Sequence, residues 1–378
     1  MKNNLVKKYD IIIFGASGFT GKLVTNYLLL HNDTKKLKIA LAGRSKKKLK
    51  NLTQKYDKIN PDILIADCFN KSSIDEMTNS AKLIISLVGP YSIYGEYLVE
   101  SCIKNSTHYL DLTGEPNFVK KIRRKFSETK FKSIIINCCG LESVIPDFGV
   151  LYTIKKMNSK IKNISFFFTS NGSLSGGTWA SFINVLYSNQ ILESVKINEK
   201  NSIKKNNRKI YFNNEFKKWV IIFPDIDKQI VYRSSRSDES YGKNFTFEKY
   251  MMLKNIKQLL VIILSFSFIS ILAKFGILKN WLLSLRPSGS GPSDNQIKKS
   301  WFKAIFVGEG SNEKVKFQLS GGDPGYGDTA KFISEIALCV TNQYELLNKK
   351  EGILTPVECT GELMIDRLKN AGIKFQKL

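Results

Sequence analysis

Ile11-Ile12-Ile13-Phe14-Gly15-Ala16-Ser17-Gly18-Phe19-Thr20-Gly21 is the stretch on which the reading of this chain turns. Four apolar residues without a polar interruption form a strand that must be covered on both faces. Three glycines spaced three apart follow, and a helix then runs through Leu23 and Leu28. Gly15 permits a tight turn, Gly18 allows a ligand to approach the backbone closely, and Gly21 lets the helix pack against the sheet. The start of that helix presents unpaired N–H groups and the positive end of a dipole, which together favour an anion. Between a buried strand and a helix, the spacing is a dinucleotide-binding fingerprint.

The same beat repeats through the first third of the chain. Lys38 to Ala42, Ile63 to Ala66, Leu83 to Val88, His108 to Leu112 and Ser133 to Asn137 read as five further strands, with connections long enough for crossover helices. The expected fold class is α/β: an N-terminal Rossmann domain with a doubly wound parallel sheet, then a second α+β domain, with C-terminal helices packing back on the first. The corresponding domains are 1–142, 143–328 and 329–378. In the middle, Ile164 to Thr169, Trp219 to Phe223 and Lys303 to Val307 read as strands. Lys196 to Lys209 reads as a loop or hairpin tip, and Phe332, Ile336, Leu338 and Val340 mark a C-terminal helix.

The second strand ends in Ala42-Gly43-Arg44-Ser45 with no Asp or Glu beside it. An acidic residue at this point suits the free ribose hydroxyls of NAD, whereas Arg44 suits a 2′-phosphate, so NADP is the expected cofactor. Asp67, after the third strand, either hydrogen-bonds the adenine or caps the next helix. Val88-Gly89-Pro90-Tyr91 follows the fourth strand and should line the nicotinamide side, because ligands of open α/β sheets lie beyond the carboxyl ends of the strands. Tyr91 and Tyr94 in this loop either supply a proton or pack against helices.

The chain of 378 residues carries 58 Lys and Arg against 33 Asp and Glu, a net charge of +25. That excess either attracts an anionic partner or reflects a Lys- and Asn-rich composition spread over solvated faces. The lysines lie all along the chain, and no zinc-finger or helix-turn-helix signature accompanies them, which argues against nucleic acid. Six cysteines without a CxxC pair, and two histidines far apart, argue against a metal site and a disulfide scaffold. The first strand begins almost at once, so a cytoplasmic protein is expected.

One segment, 258–285, stands apart. Leu259 to Ala273 contains no charged residue, and lysines at 254, 257, 274 and 279 bracket it. Three readings compete: a buried helix or homodimer interface, a helix or hairpin lying on a membrane surface, and a membrane span. The uncharged run is short for a span, and its basic flanks favour anionic lipid.

Taken together, the glycine turn, Ala42-Gly43-Arg44-Ser45, Val88-Gly89-Pro90-Tyr91 and Tyr109-Leu110-Asp111-Leu112-Thr113-Gly114-Glu115 resemble the saccharopine dehydrogenase-like oxidoreductases. Ser175-Gly176-Gly177-Thr178, Tyr241-Gly242 with Phe245, Gly291-Pro292-Ser293, Gly321-Gly322-Asp323-Pro324-Gly325-Tyr326-Gly327 and Gly352-Ile353-Leu354-Thr355-Pro356 resemble the branch that includes the trans-acting enoyl reductases. The resemblance implies an NADP-binding Rossmann domain followed by an α+β domain that covers the cofactor, and a reductase of enoyl groups on lipid or polyketide chains. It also implies membrane or lipid-droplet association in eukaryotic members. The chain departs from the branch after Gly140, where Glu142-Ser143 stands for Asp-Ser and Pro146 is displaced in the interdomain turn.

Such a reduction needs a hydride donor, polarisation of a carbonyl and a proton source. Backbone amides at Gly89 or Gly177 suit an enolate oxygen, Tyr91, Tyr94 or Tyr241 a proton donor, and Thr178, Trp179 and Tyr326 substrate contacts, with plain turn chemistry as the alternative for the glycine loops of the second domain. A lipid or acyl-chain substrate is expected over an amino acid, since Arg233 and Arg236 are the only closely spaced arginines in the second domain. A saccharopine-type imine reductase and a non-catalytic nucleotide-binding membrane protein are the alternatives.

Overall fold

The computed structural model describes residues 7–56, 58–159, 161–172, 176–187, 210–222, 227–287 and 290–378. The expected Lys196–Lys209 loop, Ser175 and Phe223 lie outside them. The chain divides into two compact units, 1–144 with 326–371 and 145–325 with 372–378.

The first unit is a seven-stranded parallel sheet. Its strands are β1 (Tyr9–Phe14), β2 (Ile39–Gly43), β3 (Asp62–Ile65), β4 (Ala81–Ser86), β5 (His108–Asp111), β6 (Ile134–Ile136) and β13 (Gly352–Leu354), in the order β13-β6-β5-β4-β1-β2-β3. β1 lies inside the sheet, with Ile12 opposite Ala40 on one side and Ile84 on the other. Ile11, Ile12 and Ile13 are each 0% exposed, which explains an apolar run with no alternation. The strand order reverses at β1/β4, and the carboxyl ends of this pair form the crevice where such sheets bind ligands.

The six early strands lie where the residues place them, to within about two positions. The seventh is not legible in the sequence: β13 is three residues long and carries no periodicity of its own, so only its pairing with β6 makes it a strand. The C-terminal helix Gly327–Asn342 is buried along most of its length and packs in this unit beside the helix Phe19–Leu30.

The second unit holds a mixed seven-stranded sheet. Its strands are β7 (Ile161–Ser170), β8 (Ile210–Asn213), β9 (Lys218–Ile222), β10 (Thr246–Leu253), β11 (Phe302–Gly310), β12 (Lys314–Gly321) and β14 (Lys374–Lys377), in the order β14-β12-β11-β7-β10-β9-β8. β7 is its axis, parallel to β10 and antiparallel to β11. On one face Phe166 stacks on Phe306 at 4.8 Å; on the other Phe167 stacks on Tyr250 at 5.3 Å. β14 shows that the last segment is not wholly helical. Its sequence, Lys-Phe-Gln-Lys, carries too little apolar pattern to announce a strand.

Two expectations are corrected. The region after Gly140 is not a turn but a helix, Leu141–Lys155, with Pro146 inside it. The segment 258–285 forms two helices, Ile256–Ala273 and Gly276–Ser284, and in the first only Leu259 and Ala273 are buried. A core helix would bury a face along its whole length, so the buried-helix reading fails. The first of the two is long and apolar enough, by length and composition, to cross a membrane.

Candidate functional site

At the carboxyl end of β1 the backbone turns through Gly15 at φ +88°, and the Gly15 N–H donates to the Ala42 carbonyl at 2.9 Å. A side chain here would occupy the left-handed region and also meet Val88 Cγ2 at 2.9 Å. The two loops at the switch point, one after β1 and one after β4, therefore touch. Gly21 has a different task from the expected sheet contact. A Cβ there would lie 2.1 Å from the Gly15 carbonyl oxygen, so its missing side chain seats the helix directly on the turn.

Helix Phe19–Leu30 begins after Gly18, with no side-chain cap and no acidic residue in its first turn. Its leading N–H groups are thus left for an external acceptor, and the dipole adds positive potential. Ala16 is buried beneath the turn, while Ser17, Gly18, Phe19 and Thr20 are partly exposed around it. Tyr326, expected as a substrate contact, is instead buried with its ring edge-on to Phe19 at 5.1 Å. It braces the start of this helix.

Arg44 stands exposed just past β2 and pairs with no carboxylate among the described residues. Ser45 caps the following helix, accepting the Lys48 N–H. For Asp67 the capping alternative fails, because Asn70 caps Lys71–Asn79. Asp67 Oδ1 accepts the Phe69 N–H at 3.0 Å, which folds the chain after β3 into a tight turn. This turn carries two residues that the sequence reading passed over. Burial pushes the Cys68 thiol up to about 11, with Asp67 reinforcing the shift and the Arg44 guanidinium opposing it. Phe69 is strongly exposed, and Tyr94 meets it edge-on at 5.4 Å.

The loop after β4 is held by a group to which no role had been given. Glu115, buried, accepts the N–H of Tyr91 at 2.8 Å and of Ser92 at 3.0 Å. Pro90 has no side chain able to cap the helix Tyr91–Lys104, so the carboxylate does so from β5's far end. Gly89 is left exposed, with Val88 and Pro90 partly so. Tyr91 is built into the core: its hydroxyl donates to the Ser86 carbonyl and accepts the Leu112 N–H. Burial, with Asp111 adding to it, drives its pKa well above the usual value. Of the two loop tyrosines, Tyr94 is the one with a partly exposed ring.

Below this loop Asp111 is fully buried and gathers four donors: the N–H groups of Thr113 and Cys138, the Asn137 amide and the Tyr109 hydroxyl. Burial outweighs them and raises its pKa to about 6. This network ties the ends of β5 and β6 together.

In the second unit Tyr241 is 0% exposed, and its hydroxyl has no hydrogen-bond partner among the described residues. Burial, followed by the nearby Asp147 charge, pushes its pKa up. Gly177 lies at the start of helix Gly176–Tyr187 and not in an open loop, and the Thr178 side chain lies outside what is described. Trp179, expected as a substrate contact, is partly exposed, and its indole N–H donates to the Leu282 carbonyl at 2.5 Å. A cavity of about 380 Å³ in this unit is lined by Phe168, Met251, Leu253, Gln258 and Trp301, at the foot of helix Ile256–Ala273.

A profile of the saccharopine dehydrogenase NADP binding domain matches residues 11–132, the span that contains the turn, Arg44 and the loop after β4. A saccharopine dehydrogenase-like oxidoreductase of Rattus norvegicus is 28% identical, over 98% of this chain and 97% of that protein. A lipid droplet localized protein of Caenorhabditis elegans is 27% identical, over 98% of both. A Mycobacterium tuberculosis protein provisionally named a trans-acting enoyl reductase is 25% identical, over 98% of this chain and 97% of its own length. The fold matches apo saccharopine dehydrogenase (L-Glu forming) of Saccharomyces cerevisiae at a TM-score of 0.59, with 12% identity, covering 98% of this chain and 100% of that one. The glycine turn with its uncapped helix, the exposed Arg44 and the match of residues 11–132 converge: the chain carries an NADP-binding domain of the saccharopine dehydrogenase kind and is similar along its whole length to saccharopine dehydrogenase-like oxidoreductases.

Proposed function

We propose that this NADP-dependent oxidoreductase reduces an enoyl or carbonyl group carried on a lipid or polyketide-type chain. The observation that carries the reading is the exposed apolar helix pair of the second unit, with an apolar-walled cavity at its foot. A reductase of a soluble amino acid has no use for such a surface, whereas an enzyme of acyl chains must meet them where they are dissolved. The name of the mycobacterial relative and the location of the nematode one agree with this reading.

NADPH supplies the hydride; the chain supplies binding, orientation and a proton. The Gly15–Gly21 turn and the first N–H groups of helix Phe19–Leu30 hold the diphosphate. Arg44 takes the 2′-phosphate, and Ser45 fixes the strand end. Asp67 shapes the adenine side, and Val88-Gly89-Pro90 lines the nicotinamide side, its path set by Glu115. Tyr94 is the proton donor of this scheme in the first unit. Tyr91 positions the loop, and Tyr241 awaits the same test as Tyr94.

The deciding experiment measures NADPH oxidation with enoyl-acyl lipids in detergent and, separately, with imine-forming amino-acid pairs, for wild type, Tyr94→Phe and Tyr241→Phe. Turnover of the lipid alone, depressed by Tyr94→Phe at unchanged NADPH affinity, supports the proposal. Turnover of the amino-acid pair overturns it. Binding without turnover of either class leaves a nucleotide-binding protein.

A further inference from the structure

Helix Ile256–Ala273 is uncharged and mostly apolar from Leu259 on, yet only one side of it is used. Ile269, Leu272 and Ala273 pack with Leu282 of the next helix and with Ile183 and Leu186 of Gly176–Tyr187. On the opposite side Leu260, Leu264, Phe268 and Ile271 recur at i, i+4, i+8 and i+11, forming one stripe. Leu264 is 68% exposed and Phe268 62%, and Ile277, at 86%, carries the apolar surface on to Trp281. Water does not favour so continuous a patch, which marks an interaction surface.

Charge says what covers it. From Lys254 to Ser293 the chain has no Asp or Glu, while it carries Lys254, Lys257, Lys274, Lys279 and Arg286. Lys257 and Lys274 stand exposed at the two ends of the first helix. A protein partner offers an acid here and there; a sheet of anionic headgroups over hydrocarbon matches both the stripe and its basic ends.

Topology says how it is covered. The segment leaves from β10 and returns to β11, and these strands pair with β7 on its two sides in one sheet. Both ends of the segment are therefore on one side of any membrane. At 1.5 Å per residue the first helix is about 27 Å long, near the thickness of a hydrocarbon core. The return helix Gly276–Ser284 has 9 residues, about 13 Å, too short to cross back. We infer that the helix pair docks the protein monotopically, lying in one leaflet of an anionic phospholipid membrane with the Leu260–Leu264–Phe268–Ile271 stripe downward. The inference rests on the helix pair alone and not on the substrate class.

The test floats the full-length protein with sealed vesicles of phosphatidylcholine, with or without phosphatidylserine. Wild type should float with the anionic vesicles. The double variant Leu264→Glu/Phe268→Glu should not float, and it should still bind NADPH as wild type does, which shows that it folds. The triple variant Lys254→Gln/Lys257→Gln/Lys274→Gln should bind on the order of a hundredfold more weakly. Equal binding to both vesicle types overturns the anionic assignment. A soluble dimer that Leu264→Glu/Phe268→Glu dissociates, without vesicle binding, gives the stripe to a second copy. An impermeant amine reagent should label Lys257 and Lys274 alike; protection of Lys274 alone means a span and overturns the one-leaflet arrangement.

Discussion

Ile11–Phe14 and Leu259–Ala273 are both apolar runs without a charge, and they end in opposite places. The first lies inside a parallel sheet with neighbours on both edges and helices on both faces, and it is sealed from solvent. The second has helices on one side only. Apolar composition states that a segment avoids water; it does not state what replaces the water. Length separates the two cases, since a strand of 6 residues that runs into a glycine turn has a place in a sheet and a helix of 18 outgrows one.

The sharpest way to break this comparison is to put the same charge in each run. Ile12→Glu buries a carboxylate without a partner and should cost more than about 4 kcal/mol, enough to unfold the first unit in a denaturant titration. Next in size is Gly21→Val, whose side chain would displace the Gly15 carbonyl. A loss of about 3 kcal/mol or more, with NADPH binding abolished, is expected by calorimetry and fluorescence titration. A smaller loss would mean that the turn yields.

Asp111 makes the first unit sensitive to pH. Its folded pKa of about 6 lies above the ordinary aspartate value of 3.8, so the folded state holds the proton more tightly. Its contribution to stability is then fully present below about pH 4 and is lost as pH rises through about 6, a change of roughly 3 kcal/mol at most. Asp111→Asn should flatten this part of the stability–pH curve; an unchanged curve would show that the four donors hold the carboxylate ionised. Arg44→Ala should weaken NADPH binding by about 10- to 100-fold with NADH little affected, which removes the cofactor preference without touching the fold. The smallest effect closes the comparison: Leu264→Glu should leave unfolding in detergent-free buffer within about 0.5 kcal/mol of wild type.

Much of the first unit was legible because its signals are local. A strand buried on both faces, a glycine turn and a helix announce themselves within twenty residues, and Arg44 follows from its place at a strand end. What was not legible depends on partners distant in sequence. Glu115 caps a helix that starts 24 residues earlier, and Tyr91 is locked by the ends of two strands. β13 and β14 are strands only because β6 and β12 lie beside them. Asp67 and Asn70 both look like caps three residues apart, and only hydrogen-bond geometry chooses between them. Glycine-rich neighbours suggest a ligand loop around Tyr326, whereas its buried ring serves packing.

The division of the chain has a further consequence for its synthesis. Helix Gly327–Asn342 and β13 belong to the unit that begins with β1, yet they are translated some two hundred residues after β6. At about 5–20 residues per second, the emerging nucleotide-binding half waits tens of seconds with the sheet edge at β6 bare and one face uncovered. That interval is an opening for chaperones, and a message cut short before Tyr326 would release a product with the whole glycine fingerprint and no finished domain to display it.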